Sequence, residues 1–214
     1  MDCFYPILTP IVGNGNKEWM LLDEIEGGEC AKIYNVYSIS TGEIYILKYM
    51  EFNGRDSLIL PGVIREIKIQ CRCTKLGIAP KIIAAWICDK GSVMIMKKIK
   101  YLLSDVLRVP NSENHNRDRK KIKIVEKCLI LLQIMHQHGM CHRDPHPENF
   151  MLDEKRIYLI DFGASEYIKP YETGVKKADY KIFASCIQSY LPEWKDVMSR
   201  FLTEEEIDRI NRKK

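Results

Sequence analysis

Apolar positions follow two rhythms along this chain, and the change of rhythm divides it. Between residues 19 and 97 the apolar residues gather in short, nearly continuous runs, at 19–25, 33–38, 43–50, 81–88 and 93–97. Turn residues bound them, among them Ser40-Thr41-Gly42 and Asp89-Lys90-Gly91, so the runs read as strands joined by hairpins. One stretch breaks this series of strands. After Pro61-Gly62, the run Val63-Ile64-Arg65-Glu66-Ile67-Lys68-Ile69-Gln70 has helical spacing and is expected to start past the proline and end at Gly77. Residues 1–16 carry Pro6, Pro10 and Gly13-Asn14-Gly15-Asn16 and read as a loose leader.

Beyond residue 99 the helical period takes over. Residues 104–107 suggest a short helix and 111–116 a polar loop. The charge run Arg117-Asp118-Arg119-Lys120-Lys121 reads as the solvated start of a helix reaching about Gln137. Ile124, Cys128, Leu131 and Met135 share one face of it, with Val125, Leu129 and Leu132 beside them. Gly139 ends it. Residues 179–187 read as a buried helix, Thr203-Glu204-Glu205-Glu206 as a capping box before a last helix, and 209–214 as a solvated basic tail. The class is α+β: a leader at 1–16, an antiparallel strand-rich lobe with one helix at 17–98, and a mainly helical lobe at 99–214.

Composition narrows the setting. With 46% hydrophobic and 29% charged residues in 214, the chain fits a soluble globular protein with a sizeable core. A net charge of +4 is too small to argue for nucleic acid, which enters only indirectly if at all. No apolar run is long enough for a membrane span, and no membrane partner is expected. The 8 cysteines are scattered without a C-x-x-C pair, and Cys71 and Cys73 read as neighbours on one element. They behave as small hydrophobes in a reducing compartment, and a cytoplasmic location is expected.

The chemistry is concentrated in residues 142–163, which run His-Arg-Asp-Pro-His-Pro-Glu-Asn-Phe-Met-Leu-Asp-Glu-Lys-Arg-Ile-Tyr-Leu-Ile-Asp-Phe-Gly. As strand–loop–strand, this brings the carboxylates of Asp144 and Asp161 and the amide of Asn149 to one mouth. All are oxygen donors, suited to a hard cation that holds phosphates while a hydroxyl attacks. A chance polar hairpin is the alternative. The stretch resembles the catalytic and metal-binding loops of the protein-kinase superfamily, H-R-D-x-x-x-x-N followed by D-F-G.

That resemblance implies a bilobal kinase-like fold using ATP and magnesium. Asp144 would be the catalytic base, and Asn149 and Asp161 the metal ligands. The turn at Gly27, Gly28, Ala31 and Ile33 resembles a degenerate phosphate-binding loop, although an ordinary hairpin turn would carry the same glycines. Lys48, inside the apolar run 44–47, would contact the phosphates and pair with Glu66; a solvated helix carboxylate is the plainer reading of Glu66. Residues 94–99 resemble the kinase hinge, with adenine held by backbone near Lys97 and Ile99 and with Met96 lining the pocket. A core strand is compatible with the same run. His142 is expected to pack beneath the loop, and Asp179 to bond its backbone.

Two features set the chain apart. His146 stands where ordinary serine/threonine kinases have lysine, which resembles ubiquinone-biosynthesis kinases and small-molecule phosphotransferases. The segment after Gly163 is short and lacks Ala-Pro-Glu, as in the small KEOPS-complex kinase and in short viral or bacterial-effector kinases. The KEOPS kinase family has glycine where Arg143 stands. The resemblance implies a serine/threonine protein kinase with a reduced C-terminal lobe, acting on a protein substrate and completed by a regulatory or scaffolding partner. A kinase-fold scaffold and a small-molecule kinase are the alternatives. Glu166 or Glu172 could neutralise Arg143 permanently, leaving Ser165, Tyr167, Tyr171 and Thr173 as possible phosphosites.

Overall fold

The computed structural model describes residues 19–27, 31–52, 56–88, 90–109, 115–154 and 156–212. The leader, Gly28 and most of the 111–116 loop lie outside them. The chain divides into two compact units: residues before Gly77 together with Pro80–Lys98, and Gly77–Ala79 together with residues after Lys98. Among the described residues, no helix is long and apolar enough to cross a membrane.

The first unit contains β1 (Trp19–Gly27), β2 (Lys32–Ser38), β3 (Ile44–Glu51), α1 (Asp56–Lys75), β4 (Ile82–Cys88) and β5 (Gly91–Lys97). Its strands form one antiparallel sheet in the order β1-β2-β3-β5-β4. Period-two alternation sorts the side chains between two faces. Val36, Tyr45, Leu47, Val93 and Ile95 pack together on one face. On the other, Met94, Met96, Ile82 and Ala85 pack with Val63 and Ile67 of α1, joined by Ile46 and Met50. Lys48 lies between Ile46 and Met50 in that alternation, so its side chain shares the α1 face.

The inserted helix begins earlier than the proline suggested. Asp56–Lys75 is one helix with Pro61 inside it. Pro61 lies in the second turn, where its missing N–H removes a single bond near an end that already has unpaired donors. At the other end Gly77 adopts φ 74°, the left-handed conformation that glycine reaches without a Cβ penalty.

The second unit contains β6 (Tyr101–Leu102), α2 (Leu103–Arg108), α3 (His115–Gln137), β7 (Met140–Cys141), a 3-10 turn (Pro147–Asn149), β8 (Phe150–Leu152), β9 (Ile157–Leu159), β10 (Glu166–Tyr167), α4 (Thr173–Ile187), α5 (Trp194–Met198) and α6 (Glu204–Asn211). Strands β6, β8 and β9 form a small sheet, and β7 pairs with β10. The buried face of α3 is Val125, Cys128, Leu129, Leu132, Met135 and His136, while Ile124 and Leu131 lie at its margin. Phe150 and Phe183 pack ring to ring at 5.1 Å, joining the start of β8 to α4.

Two expectations are corrected here, and one further helix appears. Lys121 is buried at 4% exposure rather than solvated. Its Nζ donates to Leu107 O at 2.9 Å and Val109 O at 2.7 Å, satisfying carbonyls at the end of α2. Helix α4 starts at Thr173, ahead of the expected 179. Helix α5, with Trp194, Val197 and Met198 buried, has too few residues to show a period in sequence. The capping box of α6 forms as read, with Thr203 and Glu206 bonding each other's backbone. Those bonds, with Lys181 and Lys177, hold the Glu206 carboxyl down at about 2.

Candidate active site

In the first unit, Lys48 Nζ lies 2.7 Å from Glu66 Oε1, with side-chain exposures of 14% and 5%. Two facts of sequence make this pair. Lys48 alternates onto the α1 face of β3, and Glu66 repeats with Val63, Ile67 and Gln70 on the helix face toward the sheet. A charge this buried needs a partner, and each supplies the other's. Met96 lies in the core beside Gln70, whose Nε2 is 3.5 Å from its Sδ. Lys97 N–H donates to Lys81 O at 2.9 Å and is thereby engaged within the first unit. Gly27 ends β1 and pairs with Lys32, while Ala31 and Ile33 are half-buried; Gly28 lies outside the described residues.

In the second unit, Ile99 is buried and the loop 142–149 is fixed from below. Asp179 of α4, fully buried, accepts His142 N–H at 2.9 Å and Arg143 N–H at 2.8 Å. Its Oδ2 also meets His136 Nε2 at 2.7 Å. A carboxylate only accepts, so Nε2 carries the proton, and His136 Nδ1 receives the Tyr180 hydroxyl at 3.2 Å. Burial, aided by Asp179, pushes the Tyr180 hydroxyl up to about 12, which keeps it a donor. His142 is the expected strut: its Nε2 donates to Ile160 O at 3.0 Å, and its ring packs on Phe162 at 5.4 Å. Burial lowers its pKa, which favours a neutral ring.

The catalytic candidates stand on this base. Asn149 N–H bonds His146 O at 2.8 Å, and its side-chain Nδ2 donates to Asp144 O at 2.8 Å, with Asp144 Oδ2 at 3.3 Å. Asn149 O accepts Ile160 N–H at 3.0 Å, extending the β8–β9 pairing and bringing Asp161 to the same end of the sheet. Asp161 is exposed, with φ 56°. A magnesium ion held with nucleotide needs one or two carboxylates beside substrate phosphates. Asn149 and Asp161 suit that demand, since both present hard oxygen atoms. Among the described residues no cluster of three His, Cys, Asp or Glu side chains gathers to hold a metal by protein alone. Burial pushes the thiols of Cys73 and Cys141 up to about 12 and that of Cys128 higher still, so these three act as packing groups rather than nucleophiles.

Arg143 takes φ 72° and its Nη1 lies 3.2 Å from Glu166 Oε1. Glu166 is in register opposite Cys141 in the β7–β10 pair, which fixes it beside the loop. Glu172 is engaged elsewhere, accepting Lys169 N–H. Ser165 is buried and donates to His142 O at 3.1 Å, so it is a structural group rather than an open phosphosite. Three further participants escaped the sequence reading: His136, Arg108 and Glu148. Their roles depend on partners distant in sequence or at unconstrained motif positions.

The family model for the protein kinase domain matches residues 19–204. Over 163 residues the chain is 26% identical to calcium-dependent protein kinase 14 of Arabidopsis thaliana, covering 73% of this chain and 30% of that protein. It is 31% identical to a "Probable casein kinase I homolog" of Encephalitozoon cuniculi, covering 73% of this chain and 48% of the other. Serine/threonine-protein kinase mph1 of Schizosaccharomyces pombe is 25% identical, at 78% and 25% coverage. The chain thus spans less than half the length of these relatives. A family match that runs from β1 into α6, on lobes of the expected architecture, settles the kinship: this chain belongs to the protein kinase family.

Proposed function

We propose that the chain is an ATP- and magnesium-dependent phosphotransferase acting on serine or threonine of proteins. The observation that carries this reading is the loop Asp144–Asn149. An Asp144 carboxylate half open to solvent stands beside an amide held by its own backbone, over a buried support. Asp144 takes the proton of the attacking hydroxyl. Lys48, oriented by Glu66, binds nucleotide phosphate, and Asn149 and Asp161 hold the metal. Magnesium, when bound, neutralises charge on the transferring phosphate. The names of the relatives support the serine/threonine assignment, and the free described cysteines support a reducing, cytoplasmic setting. Radiolabelled ATP offered to generic protein, small molecules and the chain itself tests the reading. Label is expected on protein serine or threonine, and Asp161→Ala is expected to abolish both transfer and the magnesium dependence of ATP binding. Equal ATP–magnesium affinity in that variant, or label on small molecules alone, would overturn it.

The same reading includes a kinase that needs no phosphate on its short segment after Gly163 and is completed by a partner protein. In kinases switched by phosphorylation, an added phosphate pairs with arginine and orders a loop. Here Glu166 already faces Arg143. Tyr167→Phe, Tyr171→Phe and Thr173→Ala together are expected to leave basal transfer near the wild-type rate. Ser165→Ala, which removes a buried bond to the catalytic loop, is expected to lower stability by about 1 kcal/mol. A large loss of transfer in the triple variant, restored by an acidic residue at one position, would show a surviving switch.

A further inference from the structure

Helix α4 supports the catalytic loop from one face and carries a close pair of cations on another. Asp179, on the buried face, accepts the main-chain N–H groups of His142 and Arg143. Lys177 and Lys181, one turn apart, both meet a single oxygen of α6: Glu206 Oε1 lies 3.4 Å from Lys177 Nζ and 3.0 Å from Lys181 Nζ. Glu206 Oε2 accepts Thr203 N–H at 3.0 Å. One carboxylate therefore answers two ammonium groups, and like charges four residues apart on a helix repel. The two lysine side chains are 45% and 43% exposed, within reach of a second anion. Arg209 of α6 is a third cation, 70% exposed and paired with the equally open Glu205. Three cations against the carboxylates of Glu205 and Glu206 leave this rim one positive charge in excess. Beside it a groove of about 460 Å³ runs between α4 and α6. Ile182 and Ile210 supply its apolar floor, and Lys181 and Arg209 stand at its edge from the two helices. The Ser185 hydroxyl, also in its wall, is turned back to Ile182 O at 2.8 Å.

We propose that the α4–α6 groove docks an acidic amphipathic helix of a partner protein. Its apolar side chains rest on Ile182 and Ile210, and its carboxylates meet Lys177, Lys181 and Arg209. The inference rests on the reading of a kinase completed by a partner, and it names the surface and the chemistry of that partner. Charge complementarity selects the occupant: an acidic segment relieves the excess charge of the rim, and a basic one adds to it. An apolar floor between two helices suits the apolar face of a third. Asp179 lies between Lys177 and Lys181 in sequence, so a segment that steadies α4 also steadies the support of the catalytic loop.

The test is fluorescence anisotropy of a labelled amphipathic peptide of leucine and glutamate, titrated with the full chain beside the same peptide carrying glutamine for glutamate. The glutamate peptide is expected to bind about tenfold tighter, with the difference shrinking at high salt. Lys177→Ala with Lys181→Ala is expected to weaken it about tenfold, as the loss of two exposed ion pairs. That variant also unpairs Glu206 and can loosen α6. Ser185→Glu, an exposed change in the groove wall, leaves every described ion pair standing and should weaken binding by a similar factor, with transfer in the absence of peptide unchanged. Equal affinity for the two peptides, or a Ser185→Glu chain that binds like wild type, would overturn the proposal. So would sedimentation of the chain alone as a dimer that Ser185→Glu dissociates, since a second copy would then fill the groove. Binding as expected, with transfer unaltered at peptide saturation, would support the docking site and overturn instead the partner-completed reading beneath it.

Discussion

Replacing Asp144 by alanine is expected to lower phosphate transfer to protein by about 10²–10⁴-fold, the range for loss of a positioned general base. ATP–magnesium affinity should change little, since Asp144 is assigned to the hydroxyl and not to the metal. Folding should survive as well. The Asp144 side chain is 50% exposed, and its backbone carbonyl, which holds Asn149, remains in the variant. Single-turnover transfer beside equilibrium nucleotide binding separates the two effects. A rate within tenfold of wild type, with ATP bound normally, would remove Asp144 from the role of base.

Asp179→Ala is expected to act through stability instead. The carboxylate is the shared acceptor of His142 N–H, Arg143 N–H and His136 Nε2–H. At roughly 1–3 kcal/mol for each buried donor left unpaired, its loss amounts to several kcal/mol. Total stability of about 5–15 kcal/mol makes that a large fraction. The melting temperature should fall on the order of 10 °C, and activity should be lost with it. Thermal unfolding followed by circular dichroism measures this. A fall of under about 2 °C would show that the loop is held by other contacts.

Much of this arrangement was legible in the chain because it rests on local periodicity. Alternation along β3 sends Lys48 and Leu47 to opposite faces, and helical spacing turns Glu66 toward the sheet with Val63 and Ile67. Their pairing was expected from the resemblance to kinases, while periodicity alone left Glu66 readable as a solvated carboxylate. Asp144, Asn149 and Asp161 sit in a loop whose order and spacing are themselves the signal. What could not be read depends on tertiary partners. Lys121 looks like one more charge in a charge run; only the carbonyls of Leu107 and Val109, brought over it by α2, make its burial tolerable. Ser165 looks like an exposed hydroxyl until the β7–β10 pairing places it under His142. Pro61 marks a boundary by local rule, yet α1 extends through it, because one missing bond in a second turn is outweighed by the packing of Val63 and Ile67 beyond it.

The left-handed backbone at Arg143 bears on how such a loop can change over time. A residue with a Cβ at φ 72° carries roughly 1–2 kcal/mol of strain that glycine does not. Glycine is therefore the relaxed occupant of this position, and arginine is kept against the backbone's preference. The N–H bonds from His142 and Arg143 to Asp179 are made by the main chain, and either residue makes them alike. A single substitution can thus add or delete the guanidinium that faces Glu166 while the path of the loop stays as it is. The charge at residue 143 and the path of the loop are therefore separable: one is set by a side chain, the other by main-chain bonds to Asp179.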